Sequence, residues 1–78
     1  MPSVPIAGPY RWFYYSGDRD EPPHIHMERE GLTAKFWLSP VRLEQSGGFS
    51  RHEIRQIQRL VEEHRQTLLR SWNAFFSD

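Results

Sequence analysis

The sequence predicts an α+β domain, in which a three- to four-stranded antiparallel sheet packs by one face on one long C-terminal helix. Two observations carry this reading. Residues 10–38 hold stretches of alternating, strand-forming side chains around a Glu30-Gly31 pair suited to a two-residue hairpin turn. From Ile54 to Phe76, apolar residues recur at three- and four-residue steps. At 78 residues the chain is one small domain, 1–78, and a domain of this size often completes its core with a partner.

Met1 to Gly8 contains Pro2 and Pro5 and reads as an extended arm, residues 1–8. Tyr10 to Tyr15 (Tyr-Arg-Trp-Phe-Tyr-Tyr) has the strongest strand propensity in the chain. Ser16 to Pro23 is a polar loop with turn chemistry throughout. Pro22 and Pro23 cannot sit inside a central strand, so they fix the start of the next one at His24.

The strands His24–Arg29 and Leu32–Leu38 flank the Glu30-Gly31 turn, where Gly31 supplies positive φ. That turn sets the register: Arg29 opposes Leu32, Met27 opposes Ala34, Ile25 opposes Phe36 and His24 opposes Trp37. One face then carries Ile25, Met27, Ala34, Phe36 and Leu38. The other carries His24, His26, Glu28, Thr33, Lys35 and Trp37. A one-residue slip would bury the charged set, so the apolar set faces the core and the histidine face is expected to turn away from the helix, toward solvent. Val41 to Leu43 can add a short edge strand.

The remaining third is the helix. Gly47-Gly48 mark the loop before it, Ser50 is a good N-cap, and Glu53 is placed to complete a capping box. Phe49 and Ile54 stand at hydrophobic-staple spacing. Ile54, Ile57, Val61, Leu68, Trp72 and Phe75 form the stripe, which Leu60 and Phe76 broaden and within which His64 falls. A helix running to about residue 76 is roughly 40 Å long, whereas strands of this length span only ~20 Å. Trp72, Phe75 and Phe76 are therefore expected to overhang the sheet as a partner-binding or dimer-forming cluster.

Composition narrows the function classes. There is no cysteine, which excludes disulfides and thiolate zinc sites. Lys plus Arg and Asp plus Glu number ten each, so bulk charge does not point to nucleic acid or a membrane surface. No apolar run approaches membrane-spanning length and no signal-peptide pattern opens the chain, which makes the cytoplasm the expected location.

The candidate functional face is His24, His26, Glu28, Lys35 and Trp37. Histidines two residues apart on a strand point to one side, so His24 and His26 can ligate a divalent transition metal, with Glu28 or a residue of the first strand as a third ligand. The alternative is a half-exposed face whose histidines stack on Trp37 and the Tyr10/Trp12/Tyr14 row. His64, inside the apolar stripe, reads as a core histidine on the opposite side of the sheet. Trp12, Tyr14, Lys35 and Trp37 could together offer single-stranded nucleic acid a stacking surface, a reading that the neutral charge balance disfavours. The helical arginines alternate with Glu53, Glu62 and Glu63 and suit a solvated, ion-paired face.

Met1-Pro2, the Pro22-Pro23-His24-Ile25-His26 block, and His64 followed by Leu68-Leu69 and Trp72 together resemble the bacterial domain-of-unknown-function family four-one-six-zero. The resemblance spans nearly the whole chain, and it marks His24, His26, His64 and Trp72 as the motif positions. It implies a protein partner encoded by a second short gene, in a module like the toxin–antitoxin pairs, with an operator or RNA target as a further implied partner, but transfers no catalytic role. The aromatic first strand (Trp12-Phe13-Tyr14-Tyr15) and the Phe36-Trp37 pair depart from the commoner family pattern. The leading expectation is a protein-binding component of such a two-gene module. The alternative is a small metal-dependent hydrolase or nuclease using His24 and His26.

Overall fold

The computed structural model describes residues 3–4, 6 and 8–76. Its strands are β1 (Ser3–Val4), β2 (Arg11–Phe13), β3 (His24–Arg29), β4 (Leu32–Leu38) and β5 (Val41–Gln45), and its helices are α1 (Arg51–Glu63) and α2 (Arg65–Phe76). The five strands form one sheet in the order β1-β2-β3-β4-β5, with every neighbouring pair antiparallel. The α+β reading stands, with two differences. Part of the expected arm joins the sheet as β1, while residues 1, 2, 5 and 7 of that arm lie outside the described residues. The expected single helix is interrupted at His64, whose φ of −100° and ψ of 13° leave the helical region.

The β3–β4 hairpin has the expected register, from His24 opposite Trp37 to Arg29 opposite Leu32. Glu30 at φ 53° and Gly31 at φ 82° make the turn, both in the left-handed region that a tight hairpin requires. On one face Ile25, Met27, Ala34, Phe36 and Leu38 are all fully buried. Trp12 of β2 and Ile57, Val61 and Leu68 of the helices belong to the same core. The α1 helix packs over β4 and β5, and α2 over β4. Between β5 and α1 the chain passes close to the backbone of β4. A Cβ at Gly47, where φ is 62°, would collide with the Thr33 carbonyl oxygen, so this crossing needs glycine.

Ser50 caps α1, its Oγ accepting the Glu53 amide hydrogen at 3.1 Å. The expected reciprocal half of the capping box is replaced by a tertiary contact. The Glu53 carboxylate instead accepts the Tyr10 hydroxyl at 2.8 Å and Arg29 Nη1 at 3.2 Å, tying the helix start to the sheet. Backbone hydrogen bonds continue on both sides of the break, from the His64 amide to the Leu60 carbonyl and from the Leu68 amide to the His64 carbonyl. Beside it, Arg65 Nε donates to the Leu38 carbonyl at 2.7 Å and anchors the junction to the end of β4.

The predicted overhang is largely covered. Tyr14 continues past β2, donates its hydroxyl to the Leu68 carbonyl at 2.9 Å, and sets its ring 5.5 Å from that of Trp72. Trp72 is thereby buried and Phe76 half-buried, leaving Phe75 exposed at 41%. Trp72 is covered because Tyr14, just past the paired end of β2, and His24, at the start of β3, both set their rings against it. Among the described residues, no helix is long and apolar enough to cross a membrane.

Candidate functional site

The second face of the sheet is where the sequence reading needs its main correction. The register did place His24 and His26 opposite the Ile25/Met27 face, but neither is open to solvent: His24 is 0% exposed and His26 8%. Their cover comes from three directions. Phe13 of β2 stacks on His26 at 5.5 Å, and Tyr15 meets its edge at 4.8 Å. Trp37 lies 5.5 Å from His24 across the hairpin, and Trp72 of α2 closes the strand end at 5.0 Å. The loop after β2 turns as a 3-10 segment, Ser16–Asp20, and brings a carboxylate down onto the pair.

That carboxylate is Asp18, which in the sequence is one residue of a polar loop. Its Oδ2 lies 3.0 Å from His24 Nε2 and 3.1 Å from His26 Nε2. The same oxygen accepts the Tyr15 amide hydrogen at 2.9 Å. His24 Nδ1 is 2.9 Å from the Pro22 carbonyl, which can only accept, so that nitrogen carries a proton. One ligand-capable atom from each of Asp18, His24 and His26 falls within 4.8 Å of the other two. The two imidazole rings stand edge to face with centroids 5.0 Å apart.

The other expected members of the face are dispersed. Glu28, the anticipated third ligand, pairs with Arg11 at 2.9 Å and accepts the Gly31 amide hydrogen at 3.2 Å, so it braces the hairpin turn instead. Lys35 sits at the rim, bonded to Glu21 at 2.6 Å and 4.7 Å above the Trp37 ring. His64 is half-buried at the helix junction, outside the cluster. Trp12 and Tyr14 are core residues, 2% and 1% exposed, so they are not free for an open nucleic-acid stacking platform. Asp18 left one signal in the sequence: an acidic residue in a loop that Pro22-Pro23 must return to the His-x-His strand.

Burial alone would raise the Asp18 carboxyl, but the Tyr15 amide and the two imidazoles outweigh it and hold the group below the usual carboxylate range. Burial pushes the His26 imidazole down; Asp18 pulls it up, and the nearby His24 and Lys35 oppose that pull. Both folded-state values are therefore depressed. Each group contributes stability that is present above its unfolded value and lost as the pH falls through its folded value. For metal-free protein, stability should begin to fall below pH ~6.5, where the unfolded imidazole takes its proton, and fall again below pH ~3.9, where the unfolded Asp does. Urea denaturation across that range checks the sign. Stability rising between about pH 7 and pH 5 would contradict it.

Among the described residues, a five-stranded antiparallel meander, closed on one face by an interrupted helix and on the other by an aromatic cap over a carboxylate and two imidazoles, defines a small α+β protein with a buried polar cluster. Residues 10–73 match the family described as Domain of unknown function (DUF4160), and the chain belongs to that family. It matches no curated protein and no solved structure.

Proposed function

We propose that this protein is the partner-binding component of a small bacterial two-gene module of the toxin–antitoxin kind, acting in the cytoplasm and taking its protein partner along the free edge of the sheet. The observation that carries this reading is β5. It is the last strand of the sheet, with no described strand beyond it, and Arg42 to Gln45 are all exposed. Such an edge is a template for an added strand, whose alternating side chains then need places on both faces.

Both faces offer such places. On the helix side, Leu43, Ser46, Phe49, Arg51 and Ile54 line a hollow of about 300 Å3. On the other face, a hollow of about 400 Å3 includes Pro22, Trp37, Pro40 and Arg42. Arg42 and Glu44 along the edge, and the register shift between Lys35 and Phe36, act against indiscriminate pairing. They favour a strand of complementary charge.

The hydrolase or nuclease alternative is less well supported, because a substrate would have to reach nitrogen atoms enclosed by Phe13, Tyr15, Trp37 and Trp72.

The test is co-expression with the product of the neighbouring short gene, followed by light scattering on the purified complex. A stoichiometric complex is expected, and Leu43→Asp should weaken it at least about tenfold, which is ~1.4 kcal/mol. Loss on Phe75→Asp alone would move docking to the helix end around Trp72, Phe75 and Phe76. A concentration-dependent dimer dispersed by Leu43→Asp would make a second copy the occupant. No complex with the neighbour would overturn the proposal.

A further inference from the structure

We propose that Asp18, His24 and His26 form a binding site for one divalent first-row transition ion, of which Zn²⁺ is the probe. His24 is the residue that calls for a cation. The Pro22 carbonyl at 2.9 Å holds the proton of the neutral ring on Nδ1, which leaves Nε2 as a bare lone pair. That Nε2 is fully enclosed and has no hydrogen-bond partner. Its 3.0 Å approach to Asp18 Oδ2 is not a hydrogen bond by direction, and in the neutral ring it sets two acceptors face to face away from water. An arrangement of this kind is costly unless a cation lies between the two atoms.

His26 completes the arrangement, because its Nε2 is 3.1 Å from the same oxygen. A tetrahedral site with bonds of about 2.0–2.1 Å separates its ligand atoms by about 3.3–3.4 Å. The two Asp18 edges, at 3.0 and 3.1 Å, already lie close to that spacing, and the whole set spans no more than 4.8 Å. The contacts that orient the ligands are also built in. The Pro22 carbonyl fixes the tautomer and plane of His24, and the Tyr15 amide fixes the Asp18 carboxylate.

Two nitrogens and one oxygen select a borderline transition ion over Ca²⁺ or Mg²⁺, which take oxygen ligands. The aromatic wall keeps the site dry, which strengthens each bond to the ion. Three protein ligands leave a fourth position, which one water molecule held with the ion can fill. The bound ion clasps the Ser16–Asp20 turn to β3 and so holds the cap over this face.

The test is calorimetric titration of the full, untagged, metal-stripped chain with Zn²⁺, with Mg²⁺ as control, alongside thermal melts. Binding of one equivalent of Zn²⁺ is expected, with a Tm that rises with free Zn²⁺ and does not respond to Mg²⁺. Asp18→Asn and His26→Gln should each weaken binding by at least about tenfold, since even outer partners of a metal site are worth that much. The His24→Ala chain is poorly suited to this test because His24 is packed in the core. Its ring is read instead by nitrogen NMR of the wild type, where Zn²⁺ should shift Nε2 and leave Nδ1 protonated. Folded wild type that neither takes up Zn²⁺ nor gains in Tm would overturn the site. So would Zn²⁺ binding that survives in both variants, which would place the ion elsewhere.

Discussion

Ile57→Ala is expected to destabilise the protein by ~2–5 kcal/mol, a large part of the stability available to so small a chain. Ile57 is fully buried on the face of α1 that packs over β4 and β5, among Phe36, Leu38 and Val61. Truncation there removes three carbons from water-excluded contact and leaves a cavity that the rigid hairpin cannot collapse into. Ser50→Ala provides the scale. It removes one cap hydrogen bond at the helix start and should cost only ~1 kcal/mol. Urea denaturation of both variants checks the ratio. If Ile57→Ala were as stable as wild type, the Ile54/Ile57/Val61/Leu68 stripe would not be the core face, and the helix would have to be rotated on the sheet.

The parts of this fold that were legible in the sequence are those written in local periodicity. Glu30-Gly31 fixed the register of β3 against β4, and with it the two faces of the hairpin, because a two-residue turn allows only one pairing. Ser50 and the apolar stripe fixed where the helix starts and which side it buries. The two residues of β1 escaped, since Ser3-Val4 between Pro2 and Pro5 is too short to carry a period. The break at His64 carries no Gly or Pro to announce it.

The site was half legible for a similar reason. Alternation along β3 paired His24 with His26, but alternation says which way a side chain points and not what lies over it. The cover is non-local: Phe13 and Tyr15, Trp37, and Trp72 come from three stretches of chain, and Asp18 comes from a loop whose composition suits solvent. A polar loop beside a strand of titratable residues can equally well fold over it and bury its own carboxylate there.

His24→Ala tests that cover most directly. Were the face open, the change would stay within ~0.5 kcal/mol, as for an ordinary surface position. In the structure the ring is fully enclosed, wedged between Trp37 and Trp72, with Nδ1 donating to the Pro22 carbonyl. Its removal leaves a cavity between two indoles and a carbonyl without its donor, each of which costs free energy. The expected loss is on the order of 3 kcal/mol in metal-free protein. His52→Ala is the matched control: His52 is exposed on α1, with its Nε2 3.4 Å from the Gln56 amide nitrogen, so its loss should be within ~0.5 kcal/mol. Trp fluorescence adds a second reading, because Trp37 and Trp72 flank the vacated space and should become more accessible to quencher as the cap loosens. A His24→Ala protein with wild-type stability and unchanged quenching would mean that the aromatic cap does not close over this face. The histidine pair would then be the solvent-facing site that strand alternation alone predicts.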